Sequence, residues 1–399
     1  MKKWFIASFA LVALVAVAFV VVSSILLSPV FVFRILTQWD ASTDDYRFFP
    51  SAVIAASENP HVYEYDLNPE LADLPISYRT TGGQEVTTTL ADFVESTGST
   101  SFIIVQNDTV IYEQYANGSD RDSVHTSFSA AKSLVSLMIG RAIDDGYIES
   151  QHQSMADFIP EFSGTDMEHI TIEDLLLMRS GIYYEETGFL WFRHDAYTYW
   201  MPNLRDLAIG HQRLTDRHEG RFHYNNYNPL LLGIILERST GMSVSEYFEQ
   251  SFWQPIGTKY DASWSLDSDR SQFEKMESGF NFRSIDLIRI GSMLLHDGYW
   301  NEQQIVSPEW IQASTVVDFP LNTDEYAGTF LEGLNIGYGY LWYSRPSDAS
   351  GLDFWAWGRF DQILYVSPAN DMVILRTGDT GGGVDNFSEV LADIIALID

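Results

Sequence analysis

The most constraining feature of this 399-residue sequence is a lysine inside an apolar helix. Lys132 is the only lysine between residues 4 and 258, and a run rich in Leu, Val, Ile and Met follows it. The helix predicted from about Ser127 to Gly146 has apolar residues around most of its circumference, so we expect it to be buried and central. A lone ammonium in such a helix needs a partner or a lowered pKa. The pattern therefore predicts a chemical role for this lysine.

Ser129 lies three residues before Lys132, in the pattern Ser129-Ala130-Ala131-Lys132. Residues three apart share one face of a helix, so the hydroxyl and the amine can meet. A serine nucleophile needs a nearby base, and a lysine can be that base where burial lowers its pKa. The alternative is a helix-capping serine beside a solvated lysine. The apolar surroundings of Lys132 favour the catalytic interpretation.

The segment around Ser129 resembles a known family. Phe128-Ser129-Ala130-Ala131-Lys132-Ser133 is similar to the nucleophile motif of the serine β-lactamases and penicillin-binding proteins. It is closest to their class-C-like branch, which includes esterases, D-amino-peptidases and 6-aminohexanoate-dimer hydrolases. Further segments match motifs of that branch in the same order: Leu175–Gly181, Tyr224-Asn225-Asn226 with the helix after it, Arg283–Gly291 and Ala356–Gln362. The ordered combination covers roughly residues 45–399 and is more specific than any single motif.

The resemblance implies a fold and a mechanism. The fold would be α+β and β-lactamase/transpeptidase-like, with an antiparallel sheet flanked by helices and a helical subdomain inserted at roughly residues 150–280. Ser129 would be the acylated nucleophile and Lys132 its base. Tyr224 would pass the proton to the leaving group. No metal and no organic cofactor is implied.

The resemblance also implies residues that contact the substrate. Asn226 would orient a substrate amide or Lys132. The backbone N–H groups of Ser129 and Arg359 would form the oxyanion hole, with Gly358 beside them on the strand. Many relatives carry a Lys or His that contacts a substrate carboxylate at the position of Ala356. This replacement weakens the case for β-lactams and other carboxylate-bearing substrates.

The resulting prediction is a serine hydrolase that cleaves an amide or ester bond of a small-molecule or peptide substrate. One alternative is a D,D-carboxypeptidase, penicillin-binding protein or β-lactamase that acts on carboxylate-bearing substrates. Another is a catalytically retired binding or sensing module. The presence of Ser129, Lys132 and Tyr224 together favours an enzyme. The sequence does not constrain the oligomeric state.

The N-terminus carries a long uncharged run. No charged residue occurs from Trp4 to Phe33, while Lys2 and Lys3 precede the run. About 20 apolar residues suffice to span a bilayer, and the positive-inside rule keeps the lysines cytoplasmic. The run predicts an N-terminal transmembrane helix, an uncleaved signal anchor over residues 1–36. A single-pass protein of the cytoplasmic membrane would then hold the hydrolase domain, residues 37–399, on the extracytoplasmic (periplasmic) side. A cleaved signal peptide is the alternative.

The rest of the chain predicts one α+β domain, because strands at both ends enclose a helical middle. Ser101–Val105 and Thr109–Tyr115 are β-branched and aromatic, which predicts a hairpin. Three strands and a final helix are predicted near the C-terminus: Gly337–Tyr343, Trp355–Val366, Met372–Thr377 and Phe387–Leu397.

Composition excludes several function classes. The chain has 55 acidic and 23 basic residues, a formal charge of −32, which argues against nucleic acid as a partner. It has no cysteine, so disulfides, cysteine-ligated metals and a thiol nucleophile are excluded. The sequence also lacks H-E-x-x-H, the zinc-peptidase pattern, and G-x-S-x-G, the α/β-hydrolase elbow.

Overall fold

The computed structural model describes residues 14, 17–186, 190–210, 212–215, 220–317, 321, 323–347 and 351–398. The strands in this part of the chain are β1 (Ser51–Ile54), β2 (Glu64–Tyr65), β3 (Pro75–Arg79), β4 (Glu85–Thr89), β5 (Ser99–Gln106), β6 (Thr109–Tyr115), β7 (His125–Thr126), β8 (Ala262–Ser265), β9 (Phe280–Phe282), β10 (Tyr299–Trp300), β11 (Gln303–Gln304), β12 (Gly337–Tyr338), β13 (Tyr343–Pro346), β14 (Leu352–Gly358), β15 (Gln362–Ser367) and β16 (Met372–Gly378).

The described α-helices are α1 (17–26), α2 (Pro29–Gln38), α3 (Leu90–Ser96), α4 (Ala131–Asp144), α5 (Ile172–Leu176), α6 (His194–Trp200), α7 (Leu204–Gly210), α8 (Tyr227–Thr240), α9 (Val244–Phe248), α10 (Ser284–Leu295), α11 (Pro308–Thr315) and α12 (Phe387–Ile398).

An eight-stranded sheet forms the centre of the molecule, in the order β12-β13-β14-β15-β16-β5-β6-β2. Its neighbours are antiparallel except β2 and β6, which run parallel. The predicted hairpin is confirmed: it forms β5 and β6, with Ile104 opposite Tyr112. The strands predicted near the C-terminus supply β12 to β16, so the two ends of the chain meet where β16 pairs with β5.

Helices cover both faces of this sheet. On one face Gly291 of α10 lies so close to β16 that a Cβ there would stand 2.4 Å from Val373 Cγ1. Arg376 is three positions after Val373 and so points to the opposite face of β16, where it lies over the Phe387 ring of α12 at 4.4 Å. The central sheet is therefore sandwiched between α10 and α12.

Helix α4, which carries Lys132, lies at the centre of the fold. α4 packs against α8 and against β14 of the central sheet, and its apolar side chains belong to the main core. α8 ends at Gly241, whose φ of 73° is left-handed backbone that glycine adopts without strain. A second, four-stranded sheet, in the order β1-β8-β9-β7, leads into α4 through β7. Ser129 is thus placed where the two sheets and the helical region meet.

The N-terminal prediction is wrong. Residues 1–13, 15 and 16 of the proposed anchor lie outside the described residues. In the part of the chain that the structure describes, no helix combines the length and the apolar character that crossing a bilayer requires. The predicted transmembrane helix, and the single-pass location inferred from it, are corrected accordingly.

The described part of the uncharged run is divided and packed against the protein. α1 gives way to α2 at Ser28, whose Oγ accepts hydrogen bonds from Val30 N at 3.2 Å and Phe31 N at 3.5 Å. Phe31, Val32 and Ile35 of α2 are buried in a second apolar cluster with Phe49, Trp191, Ala196 and Trp200. Part of α2 is therefore packed into the protein, whereas apolar side chains of α1 such as Ile25 and Leu26 are exposed.

Candidate active site

Ser129 lies in a tight turn that enters α4. The turn is a single 3₁₀ segment, Phe128–Ala130, and Phe128 has a φ of 44°. Left-handed backbone is strained for a bulky residue and occurs mostly where surrounding packing enforces it. The buried Phe128 ring packs edge-on against Phe360, 5.5 Å between centroids. This packing holds the turn so that Ser129 lines the cavity described below.

Lys132 follows in the first turn of α4 with only 2% of its surface exposed. Its Nζ donates to Ser129 Oγ at 2.9 Å and to the Glu277 carbonyl oxygen at 2.9 Å. The same Nζ lies 4.9 Å from the centre of the Tyr224 ring. The amine is thus fixed by three contacts and aimed at the serine hydroxyl.

Tyr224 lies in the loop before α8 and presents its ring face, rather than its hydroxyl, to Lys132. Its side chain is hydrogen-bonded to Tyr343, whose pKa is raised well above the usual value by burial and by the neighbouring Tyr224 and Tyr338. The ring of Phe330 packs edge-on against Tyr224 at 5.6 Å. Tyr224 is therefore adjacent to the serine–lysine pair but not hydrogen-bonded to Lys132.

Asn226 precedes α8 and lines the same cavity as Ser129. Its Nδ2 donates to the Tyr184 hydroxyl at 2.8 Å and to Thr198 Oγ1 at 3.3 Å. Its Oδ1 is buried and has no hydrogen-bond partner among the described residues. Asn226 is thus held in the cavity wall through its Nδ2, while its amide oxygen is buried.

Gly358 is the last residue of β14 and lies directly against the Phe128–Ala130 turn. A Cβ at this position would lie 2.2 Å from Ser127 O, 3.0 Å from Ala130 N and 3.1 Å from Ser129 N. All three are backbone atoms, which cannot rotate away as a side chain can. Glycine is therefore required by the close approach of strand and turn.

Arg359 begins the three-residue loop that joins β14 to β15. Its guanidinium forms a bidentate contact with Asp40: Nη1 donates to Oδ1 at 3.0 Å and Nη2 donates to Oδ2 at 2.7 Å. Gln362, the last residue of this motif, is buried and binds both the N–H and the carbonyl of Gly378. Ala356 is buried in β14. The motif thus combines a close strand–turn contact, a paired arginine and a structural glutamine.

A cavity of about 520 Å³ opens above Ser129. Its wall combines the nucleophile turn, α6, the loop before β9 and the segment after α2, with these residues: Trp39, Asp40, Ala41, Phe128, Ser129, Arg193, Asp195, Ala196, Tyr199, Trp200, Asn226, Glu277, Ser278 and Arg359. The structure thus brings Ser129, Asn226 and Arg359 to one cavity, with Lys132 and Gly358 packed behind the serine.

Sequence reasoning missed a buried charged pair under this cavity. Lys275 Nζ and Glu277 Oε1 are 2.9 Å apart, with 2% of each side chain exposed. Lys275 also donates to Tyr199 O at 2.7 Å, and Ser278 donates to Glu277 Oε1 at 2.8 Å. Burial lowers the pKa of Lys275, while Glu277 opposes this shift. The pair fixes the loop whose carbonyl holds Lys132; the scarcity of lysine in this chain was the available signal.

Asp40 was missed as well, because no motif links it to Arg359, 319 positions away. Within the described residues, no group of His, Asp and Glu side chains is arranged to hold a metal ion.

The sequence model of the Beta-lactamase family matches residues 86–383. A 6-aminohexanoate-dimer hydrolase of Paenarthrobacter ureafaciens is 27% identical over 297 residues, which cover 71% of this chain and 73% of that protein. Both comparisons agree with the resemblance carried by the motifs.

Solved structures show the same fold. One from Bacillus anthracis, provisionally named a 6-aminohexanoate-dimer hydrolase, superposes with a TM-score of 0.77 at 22% identity, covering 90% of this chain and 92% of that one. A class C β-lactamase variant superposes with a TM-score of 0.55 at 13% identity, covering 75% and 91%. The predicted β-lactamase/transpeptidase-like α+β fold agrees with these likenesses, apart from the transmembrane helix. From its motifs, its fold and the extent of the match, the chain is a hydrolase that belongs to the Beta-lactamase family.

Proposed function

We propose that the protein cleaves amide or ester bonds through an acyl-enzyme intermediate on Ser129. The single observation that carries this proposal is the 2.9 Å contact between Ser129 Oγ and the buried Nζ of Lys132. A neutral lysine at this distance can take the hydroxyl proton as the oxygen attacks a carbonyl carbon. Relatives named 6-aminohexanoate-dimer hydrolases support an amide among the substrates.

In the proposed reaction, Ser129 Oγ forms a bond to the carbonyl carbon while its proton passes to Lys132. The backbone N–H groups of Ser129 and Arg359 stabilise the oxyanion. Tyr224, which lies against Lys132, takes part in returning the proton to the departing amine or alkoxide. Asn226, which lines the cavity, orients a substrate amide. Water then attacks the acyl-enzyme, releases the acid and restores Ser129.

The test uses a fluorophosphonate probe and a 4-nitrophenyl ester. We expect the probe to label Ser129, as mapped by mass spectrometry, and Ser129→Ala to lose labelling and at least about a thousandfold in kcat. The variant should remain folded, because losing one hydroxyl at a helix start costs about 1 kcal/mol. Ser136→Ala is the control, since this buried α4 hydroxyl has no partner among the described residues.

Undiminished turnover by pure Ser129→Ala would overturn the mechanism. If the wild-type protein shows neither labelling nor turnover, the retired binding module becomes the better explanation. Labelling by a fluorescent penicillin that competes with the fluorophosphonate would favour the carboxylate-directed alternative.

A further inference from the structure

The wall of the catalytic cavity carries two arginines, and an aspartate pairs with each. Arg359 meets Asp40 through two parallel hydrogen bonds. Arg193 meets Asp195, two residues along the chain, in a second contact of the same kind. All four residues line the cavity. Each guanidinium in this wall therefore already has a carboxylate partner that competes with a substrate anion for it.

The Asp40–Arg359 pair joins two distant parts of the chain. Asp40 follows α2, which is held by buried apolar side chains and by Arg34, while Arg359 begins the loop after β14. Desolvation alone would raise the pKa of Asp40, but the hydrogen bonds and charge of Arg359 bring it below the usual value. Asp40 is therefore a carboxylate at neutral pH. Side-chain exposures of 64% for Asp40 and 44% for Arg359 leave the pair accessible from the cavity mouth.

Asn226 and Glu277 add hydrogen-bond acceptors to the described part of the wall. Asn226 Oδ1 and Glu277 Oε2 are buried and have no partner among the described residues, and both residues line the cavity. Together with the Asp40 and Asp195 carboxylates, these side chains make the wall rich in hydrogen-bond acceptors. Such a wall suits substrates that present N–H groups and no carboxylate.

We propose that Asp40 is a specificity-determining residue that occupies the Arg359 guanidinium and thereby disfavours substrates whose acyl group ends in a carboxylate. The substrates selected are uncharged or amine-bearing amides and esters. This inference rests on the proposed Ser129 hydrolysis. A carboxylate substrate must displace Asp40 to reach Arg359, whereas a neutral substrate leaves the pair intact.

The experiment compares 4-nitrophenyl hexanoate with the mono-4-nitrophenyl ester of adipic acid, which replaces the terminal methyl group by a carboxylate. Rates are corrected for spontaneous hydrolysis, and the readout is the ratio of the two kcat/KM values. Asp40→Asn should raise the ratio of adipate to hexanoate about three- to tenfold, because the freed guanidinium can bind the carboxylate. The double variant Asp40→Asn/Arg359→Gln should lose this gain.

Asp44→Asn is the matched control. It removes the same charge four positions away, where Asp44 pairs with Arg47 and does not line the catalytic cavity, so the ratio should not change. An unchanged ratio in Asp40→Asn, or a gain that persists in the double variant, overturns the inference about Asp40. In that case Ser129-dependent hydrolysis of the hexanoate ester would still support the proposed function. If the wild type shows no Ser129-dependent hydrolysis of either ester, the proposed function and the inference about Asp40 are both wrong.

Discussion

His125 is a buried titratable residue three positions before Phe128, in β7, which leads into the Phe128–Ala130 turn. Its Nδ1 lies 3.3 Å from Thr100 Oγ1, and its Nε2 is buried without a partner among the described residues. Burial lowers the pKa of this imidazole to about 4, while Asp120 opposes the shift only partly. In the unfolded chain a histidine titrates near pH 6.5. As the pH falls, His125 is therefore protonated in the unfolded chain before it is protonated in the folded protein, and this stabilises the unfolded state.

We predict that His125 makes the protein less stable as the pH falls from about 6.5 towards 4, with no such effect above that range. Between pH 7.5 and pH 5, His125→Asn should lose about 2 kcal/mol less unfolding free energy than the wild type. The measurement is urea denaturation at both pH values. The exposed His169 provides the control variant, His169→Asn. Equal losses in wild type and His125→Asn would contradict the assignment.

At the scale of elements, β14 and the turn at the start of α4 approach each other very closely. The backbone of the turn approaches Gly358 so closely that no side chain fits between them. Overpacking in such a place costs typically 1–3 kcal/mol and shifts the backbone. The Ser129 N–H is part of that backbone, so the shift also moves a proposed oxyanion donor.

Gly358→Ala should therefore lower the kcat for a 4-nitrophenyl ester by about a hundredfold, the effect of losing one oxyanion donor. It should also reduce the unfolding free energy by about 1–3 kcal/mol. Gly210→Ala serves as the comparison, because a Cβ at Gly210 meets open space. Full activity of pure Gly358→Ala would show that the close approach has no bearing on catalysis.

Local pattern was sufficient for some elements and not for others. The β5–β6 hairpin and the apolar α4 followed from residue spacing, and the ordered motifs led to the correct family. The position of α2 could not be predicted in this way, because an uncharged run has the same composition in a bilayer and against a protein core. Asp40 and Glu277 were not predictable either, since their roles depend on contacts between distant segments.

At the scale of the whole molecule, Arg34 connects α2 to the hydrolase domain. Its guanidinium is buried and donates to Trp200 O at 3.0 Å and to Asp267 O at 2.6 Å. Burial lowers its pKa to about 10, so it stays charged at neutral pH. The guanidinium carbon lies over the Phe49 ring, 4.9 Å from its centre. This one side chain ties the N-terminal helix to α6 and to the loop after β8.

We expect Arg34→Met to lower the unfolding free energy by about 2–3 kcal/mol, because it leaves buried carbonyl oxygens without a donor. It should also speed proteolytic cleavage between α2 and β1 in the native protein. Arg47→Met is the control, since the Arg47 side chain is 69% exposed and pairs only at the surface. Equal stability of the two variants would show that α2 is not anchored through Arg34.

The docking of α2 has a practical consequence for anyone who prepares this enzyme. The family match begins at residue 86, so an expression fragment limited to that match would begin there as well. Such a fragment would keep Ser129, Lys132 and Gly358 but lose Trp39, Asp40 and Ala41 from the cavity wall. Any hydrolysis that it retained would report on a wider, differently charged opening. Substrate screens on a shortened protein would therefore profile an artificial selectivity in place of the natural one.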